Sequence, residues 1–103
     1  MKLLTAAIRK QLPALYATEA VDTDEKLLVV KFFNPSGRST WYGVEFDGVD
    51  TFFGYCVSAL GPDCDEWGYF SLSELEQVRG RFGLGIERDT SWVPTTVAAA
   101  GLS

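Results

Sequence analysis

The stretch WYGVEFDGVDTFFG, residues 41–54, decides how this chain folds. From Thr40 to Phe46 the side chains alternate with the period of a strand, Trp41, Gly43 and Glu45 on one face and Tyr42, Val44 and Phe46 on the other. Asp47-Gly48 follows, and both residue types tolerate the positive φ of a tight hairpin turn. A second run, Thr51 to about Leu60, then returns antiparallel to the first. The same fourteen positions hold five aromatic rings and three carboxylates. The hairpin therefore also raises the question of whether its acids do chemistry or only shape a turn.

Upstream, Leu27 to Phe33 (LLVVKFF) is a β-branched and aromatic run stopped by Asn34-Pro35-Ser36-Gly37. It predicts a strand covered on both faces, with Lys31 marking partial exposure. Three sequential strands with short loops make an antiparallel meander. Downstream, Gly61 to Gly68 (GPDCDEWG) reads as a polar loop, and FSLSELEQVRG after it carries the signals of a short helix. Ser71 is the N-cap, Glu74 completes a capping box, Phe70 can staple against Leu75, Arg79 sits in the last turn and Gly80 at the exit.

At the start of the chain Thr5 can cap a helix entered at Ala6, with Ile8, Leu12, Leu15 and Tyr16 at helical spacing and a break near Leu12 imposed by Pro13. Glu19 to Glu25 has no sustained period and reads as a loop. Gly83, Gly85 and the run Ile86 to Asp89 predict a turn and a short final strand containing Trp92. These elements together predict one α+β domain over residues 1–94. Its sheet is a meander of three to four antiparallel strands with one or two short helices packed on it, and residues 95–103 form a frayed tail.

A chain of 103 residues has the size of one domain. Fourteen acidic against nine basic residues give a net charge of −5. Such a field repels phosphate backbones, which disfavours direct nucleic-acid binding; it is either the ordinary solubility charge of a small domain or a field that steers the molecule toward a basic protein partner such as a nucleic-acid-binding protein or complex. The apolar run Leu3 to Ile8 is stopped by Arg9 and Lys10, too short for a signal-peptide core or a membrane span, so a cytoplasmic location is expected. Cys56 and Cys64 then read as free thiols in a reducing compartment.

There is no histidine, which removes the commonest metal ligand and proton shuttle, and neither cysteine lies in a CxxC pair. The glycines of GRFGLG fit no phosphate-binding pattern. No catalytic residue, metal ligand or cofactor is therefore assigned. What remains for catalysis is carboxylate chemistry, from Glu45, Asp47 and Asp50 in the hairpin and Asp63, Asp65 and Glu66 in the next loop, which could hold a divalent ion in an enzyme acting on nucleic acid. The competing reading makes Asp47 and Asp50 turn formers and edge charges. Glu45 shares a predicted face with Trp41, and beneath a helix it would need a cationic partner such as Arg79, Arg81 or Arg88. The rings of Trp41, Tyr42, Phe52, Phe53, Tyr55, Trp67, Tyr69 and Phe70 could stack single-stranded bases or fill the core. Trp67 and Trp92, with Asp63, Asp65 and Glu66, are the candidate partner-binding residues.

The opening MKLLTAAIRKQLPALYATE, the strand ending KFF, the hairpin WYGVEFDGVDTFFG, the helix start GYFSLSELEQVRG and the segment IERD together resemble a family of short bacterial, plasmid and phage proteins catalogued as a domain of unknown function. The resemblance spans Met1 to about Asp89 and implies no activity. It places Glu45, Asp47, Asp50, Arg79, Glu87 and Arg88 inside shared motifs, which makes them a candidate polar site. It also implies an accessory role on a mobile element, such as inhibition of a host restriction or CRISPR complex. The expected function is thus non-catalytic protein binding through an acidic, aromatic-rich surface. The alternatives are a metal-dependent enzyme and a weak single-strand binder.

Overall fold

The computed structural model describes residues 2–80 and 83–102. In chain order it contains helix α1 (Ala6–Gln11), strands β1 (Leu27–Leu28), β2 (Val30–Phe33), β3 (Thr40–Phe46), β4 (Thr51–Val57) and β5 (Glu66–Ser71), helix α2 (Leu72–Gln77), and strands β6 (Glu87–Arg88) and β7 (Thr95–Thr96). Five strands form an antiparallel sheet in the order β5-β4-β3-β2-β6, and β1 pairs with β7 beside it. The predicted α+β class and antiparallel meander hold, but the sheet has more strands than the sequence predicts.

The central hairpin forms where the sequence places it, with a different turn. Gly48 takes φ +85°, while Asp47 stays out of the positive-φ region that a primed turn would demand. Asp47 closes the turn with its side chain: Oδ1 accepts from the amides of Val49, Asp50 and Thr51 at 2.8, 2.8 and 3.0 Å. The strands then pair from Phe46 opposite Phe52 to Thr40 opposite Val57, with a register shift between Gly43 and Glu45. This shift is a bulge at Val44, and it moves Glu45 off the face it would share with Trp41. Glu45 instead lies opposite Phe53, on the same side as Tyr42 and Tyr55.

The predicted strand Leu27 to Phe33 is interrupted at Val29, and its two halves join different sheets. The third strand stops at Val57 rather than near Leu60, and the last three residues of the expected loop, Glu66 to Gly68, belong to the edge strand β5. Glu66 and Gly68 weaken its strand signal, yet the β4 edge supplies partners for it. Ser58 N–H donates to Asp65 Oδ1 at 2.8 Å, which fixes the connection between the two strands.

On one side of the sheet, the helix face, Phe32, Phe46 and Phe52 pack with Leu3, Leu4, Leu12 and Leu75. Thr5 caps α1 as expected, accepting from Ile8 N–H at 3.2 Å, and the helix ends before Leu12, whose extended backbone suits the residue preceding Pro13. Ser71 caps α2 by accepting from Glu74 N–H at 3.3 Å. The exit differs from expectation. Val78, not Gly80, ends the helix in an extended conformation, and the Arg79 guanidinium donates to the carbonyls of Glu76 and Val78 at 2.9 and 2.8 Å. The short strand near Asp89 also differs, since Trp92 lies beyond it.

The opposite side, the tail face, has its own small cluster of Leu28, Val44 and Val97, with Tyr42, Trp67 and Trp92 against it. The segment expected to fray is what builds it. Thr95 and Thr96 pair with Leu28 and Leu27, Val97 is only 1% exposed, and the amides of Val97 and Ala98 donate to Lys26 and Asp24 carbonyls at 3.0 Å each. Small residues without period carry no sequence signal for such docking, because one buried valine and a few backbone bonds do the anchoring.

Candidate functional site

Glu45 is a buried acid, 4% exposed, and the structure pairs it with backbone rather than with arginine. After Pro13 ends α1, the chain turns across the tail face and presents the amides of Tyr16 and Thr18 to the Glu45 carboxylate at 2.8 and 3.0 Å. The Thr18 hydroxyl donates to the same group. Lys26 Nζ donates in turn to the Thr18 carbonyl and hydroxyl oxygens at 2.6 and 3.1 Å. Burial disfavours the ionised carboxylate. The bonds from Thr18 and Tyr16, with the nearby Lys26 charge, outweigh it and hold Glu45 below the ordinary carboxylate range.

Tyr16 pays a backbone cost for this arrangement, with φ +69°, a left-handed conformation that non-glycine residues seldom adopt. Its ring is 62% exposed. The ring across from it is that of Tyr69, a β5 residue 56% exposed. Between them lies a cleft of about 250 Å³ lined by Tyr16, Glu19, Lys26, Glu45, Phe53 and Tyr69. The neighbouring Tyr16 hydroxyl leads in pushing the Tyr69 hydroxyl up, followed by burial and by the negative charges of Glu45 and Glu19.

From this cleft a row of rings continues along β4 and β5. Phe53 contacts Tyr69 at 5.3 Å between centroids and stacks on Trp67 at 5.8 Å, and Trp67 meets Tyr55 edge-on at 5.3 Å. The row exists because the pairing sets Phe53 opposite Tyr69 and Tyr55 opposite Trp67, all on the tail face.

The candidate polar site does not assemble. Glu45 faces the Tyr16–Thr18 turn, Asp47 is spent on its own loop, and Asp50 reaches across to the start of α2. There Asp50 accepts from the hydroxyls of Ser71 and Ser73 at 2.5 and 3.0 Å and from the Ser73 amide at 2.8 Å. The bond from Ser71 leads in holding its carboxyl below the ordinary range, and amide bonds from Val49, Asp50 and Thr51 do the same for Asp47. Arg88 donates to the carbonyls of Lys2 and Leu3 on the helix face, tying down the N-terminal segment. Arg79 and Glu87 do share a cleft, of about 620 Å³, with Glu76, Gly83, Gly85 and Ile86. The expected partners Arg79 and Arg88 are thus placed away from Glu45, and Arg81 lies outside the described residues. Among the described residues no group of three or more acidic or cysteine side chains is arranged to hold a metal ion.

The acidic loop and its tryptophans also separate. Asp63 is exposed on a turn, Asp65 caps Ser58, and Glu66 lies opposite Cys56, on the face away from Trp67. Burial, with the Glu66 charge added, pushes the Cys56 thiol up to about 11. Trp92 is held by donation of its indole N–H to the Leu28 carbonyl at 3.0 Å, with its ring 5.4 Å from that of Tyr42. Lys31 lies over both rings and 3.7 Å from Asp89. Tyr16, Thr18 and Glu19 fall in the opening motif LYATE and Lys26 in none, but nothing in the sequence ties them to Glu45. The spacing that brings them to Glu45 exists only once Pro13 has turned the chain and the bulge has turned Glu45.

A family model described as a protein of unknown function (DUF2958) matches residues 3–100, nearly the whole chain. The chain belongs to that family. For this DUF2958 member the match includes the tail segment Thr95 to Ala100, which the resemblance in the sequence motifs stopped short of. Comparison with curated proteins and with solved structures gives no match. No helix among the described residues is long and apolar enough to cross a membrane.

Proposed function

We propose that this DUF2958 chain is a non-catalytic binding protein that engages a protein partner through the tail face of its sheet. The observation that carries this reading is the row Tyr69–Phe53–Trp67–Tyr55, four rings in contact on the adjacent strands β4 and β5, beside the exposed Tyr16. Aromatic side chains of this kind supply large contact area at low entropic cost and dominate the energetics of protein interfaces. The net charge of −5 favours a basic partner. The setting attached to this reading, inhibition of a host defence complex by a protein of a mobile element, is part of the same proposal and is what the family resemblance implies.

Affinity capture tests it. The wild-type chain is expected to retain one stoichiometric protein from a lysate of the source cell, and a Tyr55→Ser/Tyr69→Ser variant to release it. A Glu76→Ala variant on α2 should behave as wild type. Retention of nothing, or equal retention by the double variant, would overturn the proposal.

A further inference from the structure

The cleft at the end of the aromatic row has features that the row itself does not need. Tyr16 adopts a left-handed backbone, and Glu45 is buried to hold it there. The result is a small concavity with three rings, Tyr16, Phe53 and Tyr69, and two carboxylates, Glu45 and Glu19, in its walls. One cation, Lys26, is also in the wall, and its ammonium group is engaged by Thr18 oxygens. Two negative charges against one positive leave the lining with an excess negative charge. At about 250 Å³ the cleft falls below the roughly 300–1,000 Å³ of pockets for drug-sized molecules, and it suits a single long side chain.

We infer that this cleft takes one cationic side chain, an arginine or a lysine, from the basic partner. The inference rests on the binding reading above and specifies the contact at its centre. Ring faces attract a cation through their quadrupole, and carboxylates at the walls add a charge term that a neutral side chain does not gain. A guanidinium is planar and weakly hydrated, so it stacks on such rings better than an ammonium. Arginine is therefore the preferred occupant. The Tyr69 hydroxyl reports the same field, because Glu45 and Glu19 both act on it.

The test uses the intact chain and acetylated Gly-Arg-Gly amide, with backbone amide resonances of Tyr16 and Thr18 as the readout. Saturable shifts are expected for this probe, with binding about tenfold tighter than for the peptide carrying neutral citrulline in place of arginine. The lysine peptide should fall between them. Tyr69→Ala should weaken the arginine peptide several-fold. Glu19→Gln, an exposed position that leaves the Glu45 bonds intact, should weaken it less and reduce its salt dependence. Equal binding of arginine and citrulline peptides would overturn the inference, as would tighter binding of a single-stranded oligonucleotide at the same resonances. If capture depends on Tyr55 and Tyr69 while the cationic peptides do not bind, only this inference falls. If capture fails as well, the binding reading falls with it.

Discussion

Glu45 shows how a single residue can be conspicuous in a sequence and still be misplaced by its period. Strict alternation sets it beside Trp41, and one extra residue at Val44 carries it to the other face. There its partners are two amides and a hydroxyl, groups that no charge pattern reveals. Truncation to Ala leaves the Tyr16 and Thr18 amides without their acceptor and should cost about 3 kcal/mol in urea unfolding. A stability change below about 1 kcal/mol would contradict the bonding described. The pH response follows from the same bonds. Glu45, Asp47 and Asp50 are all held below their ordinary range in the folded chain, so the unfolded chain binds more protons as acid is added. Their contribution is fully present above about pH 5 and is lost as the pH falls through about 4 and below. Urea midpoints across this range should fall toward acid in the wild type and less steeply in Glu45→Gln.

At the scale of elements, two glycines on neighbouring strands separate packing from propensity. A Cβ on Gly54 would lie 1.8 Å from the Tyr42 carbonyl oxygen, whereas a Cβ on Gly68 meets nothing within 4 Å. Gly54→Ala should therefore cost about 3 kcal/mol, while Gly68→Ala should leave stability unchanged or raise it by about 0.5 kcal/mol. Equal effects in denaturant titrations would contradict the tight β3–β4 approach. The hairpin, both helix N-caps and the break at Pro13 were legible because each depends on residues a few positions apart. Strand β5 and the docked tail were not, since their stability comes from partners distant in sequence. Val97 illustrates this: its neighbours are small, yet it is buried with Leu28 and Val44. Val97→Ala should cost about 2 kcal/mol, measurable as a lowered urea midpoint, and no loss would mean that the tail does not dock.

For the whole molecule, the helices cover one side of the sheet and the C-terminal segment covers part of the other, leaving Tyr69 exposed and Phe53, Tyr55 and Trp67 half-buried on that second side. Composition makes the abundance of rings and the negative charge plain, but not which rings remain outside. That depends on the bulge in β3, on the fifth strand and on the path of the tail. The most direct measurement is hydrogen exchange of the chain alone and in its captured complex. Slowed exchange is expected in the Tyr16–Thr18 turn and in β5, the edge strand, with no change in α1 or β6. Protection confined to α1, α2 or β6, with the β5 amides unaffected, would contradict it.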